Sequence, residues 1–346
     1  MERDRGLARQ DEEAALTRIL ITGGCGFIGH HLIEHVLRTT DWEVLVVDRL
    51  SYASAGFDRL RDIKAYDDSR VILFAADLCG GLHEGLEEEI GEVDYVVHMA
   101  AETHVDQSIS QPLKFVQANV VATANLLEWA RRRRLLKKLL YFSTDEVFGP
   151  APPGVAYREW DRYNSTNPYS ATKAGGEELC LAWANTYEVP IIISHTMNVF
   201  GERQHPEKFI PKTIRTVLGG ELLPIHSDAS RTRAGSRFYI HARNVAAAVT
   251  FLLEEGEFRE KYNIVGEREV DNLTLAQTIA EVLGKPLRYE MVDFHSSRPG
   301  HDLRYALDGS KLRQMGHEHP RTFEESLRKT VQWIVHPDNY RWLKLP

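Results

Sequence analysis

The chain has 346 residues, a formal net charge of −8 and ordinary apolar and charged fractions. This excludes disordered and fibrous classes and leaves room for one large domain, or two that share a cleft. The acidic balance, with a basic run only at Arg131 to Arg134, Lys137 and Lys138, argues against nucleic acid as the main partner, because phosphate neutralisation needs a basic face.

Residues 1–17 are rich in charge and lack the apolar segment of a secretion signal, so they are expected to form a mobile extension. Ordered structure is predicted to begin at Arg18-Ile-Leu-Ile-Thr22, a short β-branched run that reads as a buried parallel strand. Residues 29–38 then show helical apolar spacing, and strand-like runs follow at Trp42 to Val47, Val71 to Phe74, Val93 to His98, Leu139 to Ser143 and Ile191 to His195. Strands alternating with helices predict a doubly wound, Rossmann-type parallel sheet over residues 18–196. Beyond 197 the pattern becomes irregular. Helices are expected at Asn244 to Glu255 and Leu273 to Leu283, in a smaller mixed α/β unit over 197–346 that binds substrate, allowing for a return of the chain to the first unit. No stretch is apolar and long enough to cross a bilayer, and the cysteines Cys25, Cys79 and Cys180 have no metal-ligand spacing. No metal and no membrane are expected, and reduced thiols suit a cytoplasmic protein.

The first motif is Gly23-Gly-Cys-Gly26-Phe27-Ile28-Gly29, between the first strand and the first helix. Glycines there allow a tight turn, close approach of pyrophosphate and helix–strand packing, while the helix N-terminus favours the phosphates. Asp48 ends the second strand, 19 residues after Gly29, where a carboxylate accepts hydrogen bonds from ribose hydroxyls and repels a 2′-phosphate. NAD is therefore expected over NADP, with Arg49 as the contrary hint. Asp77-Leu78 should lie near the adenine.

Ser143-Thr144-Asp145-Glu146 ends a predicted strand, so its side chains should face the ligand crevice. Two adjacent carboxyl groups there repel one another, which raises one pKa and allows one acid and one base. Tyr169-Ser-Ala-Thr-Lys173 sets a phenol and an ammonium four residues apart on one helix face. The cation and an oxidised nicotinamide both favour the phenolate, which can take a hydroxyl proton as hydride leaves the same carbon.

With these pieces, His98-Met99-Ala100-Ala101-Glu-Thr103, His205-Pro-Glu-Lys208-Phe209-Ile210 and Arg298-Pro-Gly-His301, the chain resembles the extended short-chain dehydrogenase family, and within it the dTDP-glucose 4,6-dehydratases. The resemblance runs from about Ile19 to the C-terminus. It implies that Tyr169 deprotonates the C4 hydroxyl of a nucleotide-linked hexose, Lys173 holds the nicotinamide ribose and Thr144 hydrogen-bonds the C4 oxygen. Glu146 would remove the C5 proton and Asp145 would protonate the departing C6 hydroxyl. Leu50, Ser51, Met99, Ala100, Ala101 and Thr103 are expected to join the cofactor site. Thr103, Asn198, Lys208, Phe209, Ile210, Asn272, Arg298 and His301 should touch the substrate, together with an arginine that is Arg231, Arg233 or Arg237, with Arg237 favoured.

The loop from His226 to Tyr239 is longer than the family pattern, and Val199 replaces an asparagine, which leaves dTDP or UDP, and the hexose, open. A 4-epimerase that leaves Asp145 and Glu146 idle, and a nucleotide-sugar-binding protein without turnover, are the other readings. Family members dimerise through the helices after residues 112 and 168, and Leu126, Leu127, Trp129, Leu179 and Trp183 suit either that interface or a core.

Overall fold

Continuous apolar strands are buried on both faces, and the central strand β1 (Arg18–Thr22) has Ile19, Leu20 and Ile21 fully buried. The computed structural model describes residues 16–294 and 303–343. Most of the N-terminal extension, Arg298 and His301 lie outside the described residues.

Around β1 stand β2 (Glu43–Asp48), β3 (Val71–Ala75), β4 (Tyr95–His98), β5 (Lys138–Thr144) and β6 (Ile191–Thr196). Four short strands follow, β7 (Val199–Phe200), β8 (Leu223–Ser227), β9 (Ser236–Phe238) and β10 (Ile240–His241), before β11 (Lys261–Ile264) returns to the sheet. The seven strands of the main sheet run parallel in the order β3-β2-β1-β4-β5-β6-β11. The strand order reverses between β1 and β4, which is where a doubly wound sheet opens a ligand crevice.

The helices are α1 (Phe27–Thr39), α2 (Asp58–Asp62), α3 (Glu84–Ile90), α4 (Val105–Ser110), α5 (Pro112–Val116), α6 (Ala122–Ala130), α7 (Pro168–Tyr187), α8 (Phe209–Gly219), α9 (Ala242–Glu255) and α10 (Asn272–Leu283). Alternate β1 residues point to opposite faces. Ile19 and Ile21 pack with Leu32, Val36, Val245 and Leu252 of α1 and α9. Leu20 packs with Leu126, Trp129, Cys180 and Ala184 of α6 and α7. Leu126, Leu127 and Trp129 are thus core residues of one chain, at no more than 1% exposure, and are unavailable to a dimer interface. Leu179 and Trp183 pack partly against the same core.

A third core joins Phe200, Ile214 of α8, Leu275 and Ile279 of α10, and Leu327 and Val331 of the helix Phe323–Val335. Beside it lie the pairs β7/β10, β9 with β12 (Glu269–Asp271), and β8 with β13 (Tyr289–Asp293), the last packed with Ala276 of α10. Only β9/β12 is antiparallel among these. Among the described residues no helix is long and apolar enough to cross a membrane.

Candidate active site

One cleft of about 370 Å³ lies over the carboxyl ends of the central strands, a size suited to a ligand. Its cofactor half begins at Gly23, which leaves β1 at φ 75°. A Cβ there would come within 2.8 Å of Ala100 N, and a Cβ on Gly29 would strike the Gly23 carbonyl oxygen, so the turn closes only with glycine. Gly26 gives α1 no side-chain cap. The uncapped first turn, Phe27, Ile28 and Gly29, lines the cleft, where amide donors and the helix dipole favour phosphate.

Asp48 accepts hydrogen bonds from Cys25 N at 3.0 Å and Leu50 N at 2.8 Å, which aims its carboxyl into the cleft. Burial raises its pKa, while the two amides and the nearby arginines oppose the rise. Leu50 does not line the cleft: its backbone takes the left-handed region at φ 56° and its side chain packs against the core around α1. Ser51, Asp77, Leu78, Met99, Ala100, Ala101 and Thr103 complete this half. Arg49 is engaged by the Glu102 carboxylate and lies 3.7 Å from Asp77. A 2′-phosphate would meet a guanidinium already surrounded by Asp48, Asp77 and Glu102, so these residues fit NAD and disfavour NADP. The loop after β2 is held from behind by Arg59, fully buried, which donates to Ala53 O at 2.7 Å and Ser54 O at 2.6 Å.

The reacting half joins β5 to α7. Asn167 caps α7 by accepting from Ser170 N at 2.8 Å, Pro168 occupies the first turn, and Tyr169 and Lys173 follow on the face toward the sheet. Gly176 lets α7 approach: a Cβ there would collide with the Tyr141 hydroxyl of β5. Lys173 Nζ donates to Phe142 O at 2.8 Å and sits 4.2 Å from the Tyr141 ring centre. Burial lowers its pKa to about 8, and Glu177 one turn on opposes the fall. The Tyr169 pKa is pushed well up by burial and by the Glu146 and Asp145 charges, against a pull from Thr144.

The two acids differ as unlike partners should. Asp145 is 4% exposed. Burial and the Glu146 charge raise its pKa to about 7, against pulls from Arg237 and Thr144. Thr144 Oγ1 donates to Asp145 Oδ1 at 3.0 Å, and Asp145 Oδ2 is buried with no hydrogen-bond partner among the described residues. Glu146 is less buried and accepts from Asn167 Nδ2 at 3.2 Å. One group is poised as an acid and its neighbour as a base.

On the substrate side, Asn198, Lys208, Phe209 and Ile210 line the same cleft. The Asn198 Oδ1 atom is buried without a partner among the described residues, an acceptor left for a ligand. Arg237 and Asn272 are not on the wall. Arg237 donates to Ser236 O and Leu303 O at 2.7 and 2.6 Å and stacks 4.5 Å from the Tyr305 ring centre. Asn272 accepts from Tyr239 OH at 2.7 Å, and Tyr239 is the wall residue. Arg231 and Arg233 stand exposed in a turn capped by Asp228.

Glu102, Glu207, His205 and Glu177 were not assigned roles from sequence. Glu207 and His205 line the cleft, with Glu207 3.3 Å from His104. Glu177, fully buried, accepts from Ser143 Oγ and Tyr163 OH and lies 3.0 Å from His195 Nε2 and 3.6 Å from Lys261 Nζ. Its spacing of one turn from Lys173 was the available signal.

A dinucleotide crevice that brings a phenol, an ammonium and two unlike carboxyls together defines a nicotinamide-dependent enzyme. The chain belongs to the NAD dependent epimerase/dehydratase family, whose model matches residues 19–265. It is 37% identical to a dTDP-glucose 4,6-dehydratase of Escherichia coli, over 93% of this chain and 94% of that protein. It is 38% identical to one from Neisseria gonorrhoeae, over 92% and 95%. The Streptomyces venezuelae dTDP-glucose 4,6-dehydratase, solved with NAD and dTDP bound, superposes with a TM-score of 0.82 at 32% identity, covering 94% of this chain and 98% of that one. A Thermus thermophilus UDP-glucose 4-epimerase in complex with NAD gives a TM-score of 0.80 at 27% identity, over 94% and 99%.

Proposed function

We propose that the protein is a dTDP-glucose 4,6-dehydratase, a hydro-lyase that converts dTDP-glucose into dTDP-4-keto-6-deoxyglucose and water. The observation that carries this function is the acid pair at the end of β5: Asp145, with a pKa of about 7, beside Glu146 held by Asn167, in one cleft with Tyr169 and Lys173. An epimerase has no use for two such groups.

NAD held in the cleft would supply the hydride acceptor and donor that link C4 and C6, and its oxidised ring would favour a Tyr169 phenolate. Tyr169 removes the C4 hydroxyl proton, with Thr144 bonding the same oxygen and the Lys173 ammonium countering the phenolate charge. The C4 ketone acidifies C5, where Glu146 takes the proton. Asp145 gives a proton to the C6 hydroxyl, which leaves as water. Glu146 then returns its proton to C5, completing the methyl group. Gly23, Gly26, Gly29, Asp48 and the loop Met99–Thr103 hold the cofactor. Asn198, Lys208, Phe209 and Ile210 hold the sugar nucleotide, and the Arg237 charge adds attraction for the diphosphate from behind the wall.

Incubation with dTDP-glucose and NAD should yield a keto sugar with alkali-induced absorbance. Recovery of a C4 epimer alone, or turnover of UDP-glucose but not dTDP-glucose, would refute the assignment. A cytoplasmic site of action is supported by cysteines that form no disulfide. A homodimer is supported by the exposed Leu113 and Val116 of α5, at 77% and 38% exposure. Light scattering should give twice the chain mass, and a monomeric mass would remove the dimer.

A further inference from the structure

The buried guanidinium of Arg59 on α2 bonds to carbonyl oxygens of three separate segments. They are Cys25 O at 3.4 Å in the glycine turn, Ala53 O and Ser54 O at 2.7 and 2.6 Å in the loop after β2, and Arg203 O at 3.1 Å. Each segment supplies wall to the cleft, through Gly26, through Ala53 and Ser54, and through Gln204. One cation thus sets the spacing of three pieces of the wall. A side chain can do this only as well as its own conformation is locked by packing.

The lock on Arg59 is distant in sequence. Trp342, 2% exposed, sets its ring centre 5.4 Å from the Arg59 guanidinium carbon. Its Nε1 donates to Asp62 Oδ2 at 2.9 Å, across 280 residues of chain. Asp62 lies one helical turn after Arg59, is paired with Arg341, and also accepts from Arg203 Nε at 3.2 Å. Arg203 itself takes the left-handed region at φ 65°, a conformation that must be held from outside, and lies 4.8 Å from the Trp333 ring centre. The segment Pro337–Leu343 is thereby fastened to the back of the cofactor wall.

We propose that Trp342 is a positioning residue for NAD. Seated on Arg59 and bonded to Asp62, it keeps Arg59 in place, and Arg59 keeps the loop after β2 and the glycine turn in the shape that retains the dinucleotide. The role rests on the cofactor half of the cleft as read above and is independent of the dehydration. Trp342 touches neither reacting group, so its effect falls on cofactor release rather than on chemistry.

Release of labelled NAD from the loaded full-length chain, chased with excess unlabelled NAD, tests this. Trp342→Ala should release NAD about tenfold faster, within the range for residues that act on a ligand through others. Trp342→Phe keeps a ring on Arg59 and should recover part of the retention. Hydrogen exchange should quicken at residues 51–54 and stay at the parent rate along α7. Should Trp342→Ala fail to fold, Asp62→Ala carries the same test with the indole still present, and should act in the same direction. A lower melting temperature with NAD released at the parent rate would make Trp342 a merely structural residue and overturn the proposal. Faster exchange everywhere, α7 included, would do the same. If the parent held no NAD, the cofactor half itself would fall and the proposal with it, whereas retention by the parent and by both alanine variants alike would remove the proposal alone.

Discussion

Asn167 donates from Nδ2 to Glu146 Oε2 at 3.2 Å, while its Oδ1 accepts from Ser170 N at 2.8 Å. One side chain therefore starts the helix that carries Tyr169 and holds the carboxylate at the end of β5. Asn167→Ala should cost about 1 kcal/mol through the lost cap and also slow the C5 proton transfer. Asn167→Asp should keep the cap yet slow the same step at neutral pH, because a second carboxylate would face Glu146. Thermal melting and single-turnover rates separate the two effects; a variant Asp that is both stable and fully active would show that the Asn167–Glu146 bond has no part in the chemistry.

Behind that pair, Glu177 ties β5, α7, β6 and β11 together through Ser143, His195 and Lys261. His195 and Lys261 keep its pKa below the usual carboxylate range despite full burial. A depressed folded pKa contributes stability above the unfolded pKa that is lost as pH falls through the folded value, so this contribution should fade on the acid side of 4.5, the ordinary value. Glu177→Ala leaves Lys261 buried at 3% exposure without its carboxylate and should cost about 3–5 kcal/mol in urea unfolding. Adding Lys261→Met should recover part of the loss. Additive losses would mean that the two charges do not stabilise each other.

The contrast between these two sites shows what could be read without coordinates. Gly23 to Gly29, Asp48, Thr144 to Glu146, and Tyr169 with Lys173 are local patterns whose spacing matches the end of a strand or one face of a helix, and each could be placed from neighbours in sequence. The parallel sheet followed for the same reason, since its strands are continuous apolar runs such as Ile19–Ile21. Glu177 could not be placed, because its partners Ser143, His195 and Lys261 are 34, 18 and 84 residues away and meet only through strand order. Arg49 was ambiguous until Glu102, 53 residues on, proved to be its partner. Leu126, Leu127 and Trp129 fitted a core or an interface equally, and only packing decides that.

Arg49 also carries a prediction about cofactor choice. Asp48→Asn removes a charged acceptor at the ribose end and should weaken NAD binding by about 1.5–3 kcal/mol, roughly ten- to hundredfold, with little gain for NADP while Glu102 and Asp77 still surround Arg49. Converting all three positions to amides should free the guanidinium and bring NADP to parity. Calorimetric titration with both dinucleotides checks this; tight NADP binding by the single variant would show that the Glu102 and Asp77 carboxylates do not neutralise Arg49.

Asp145 should be costly to the fold in the state that serves the reaction. Its pKa is raised from 3.8 to about 7 by burial and by Glu146. For a group raised in the folded state, the stability contribution is full below the unfolded pKa and is lost as pH rises through the folded value. Between about pH 4 and pH 7 the folded protein should therefore lose stability from this group, up to about 4 kcal/mol from a shift of this size. Asp145→Asn has no such titration. It should melt higher than the parent at pH 8 and nearly match it at pH 4, while water elimination slows about 10²–10⁴-fold for want of an acid. The parent's elimination rate should fall above pH 7 as the acid is lost, and the variant's should not. If the variant instead melted lower at pH 8, burial of the Asp145 charge would not be the strained feature of this site.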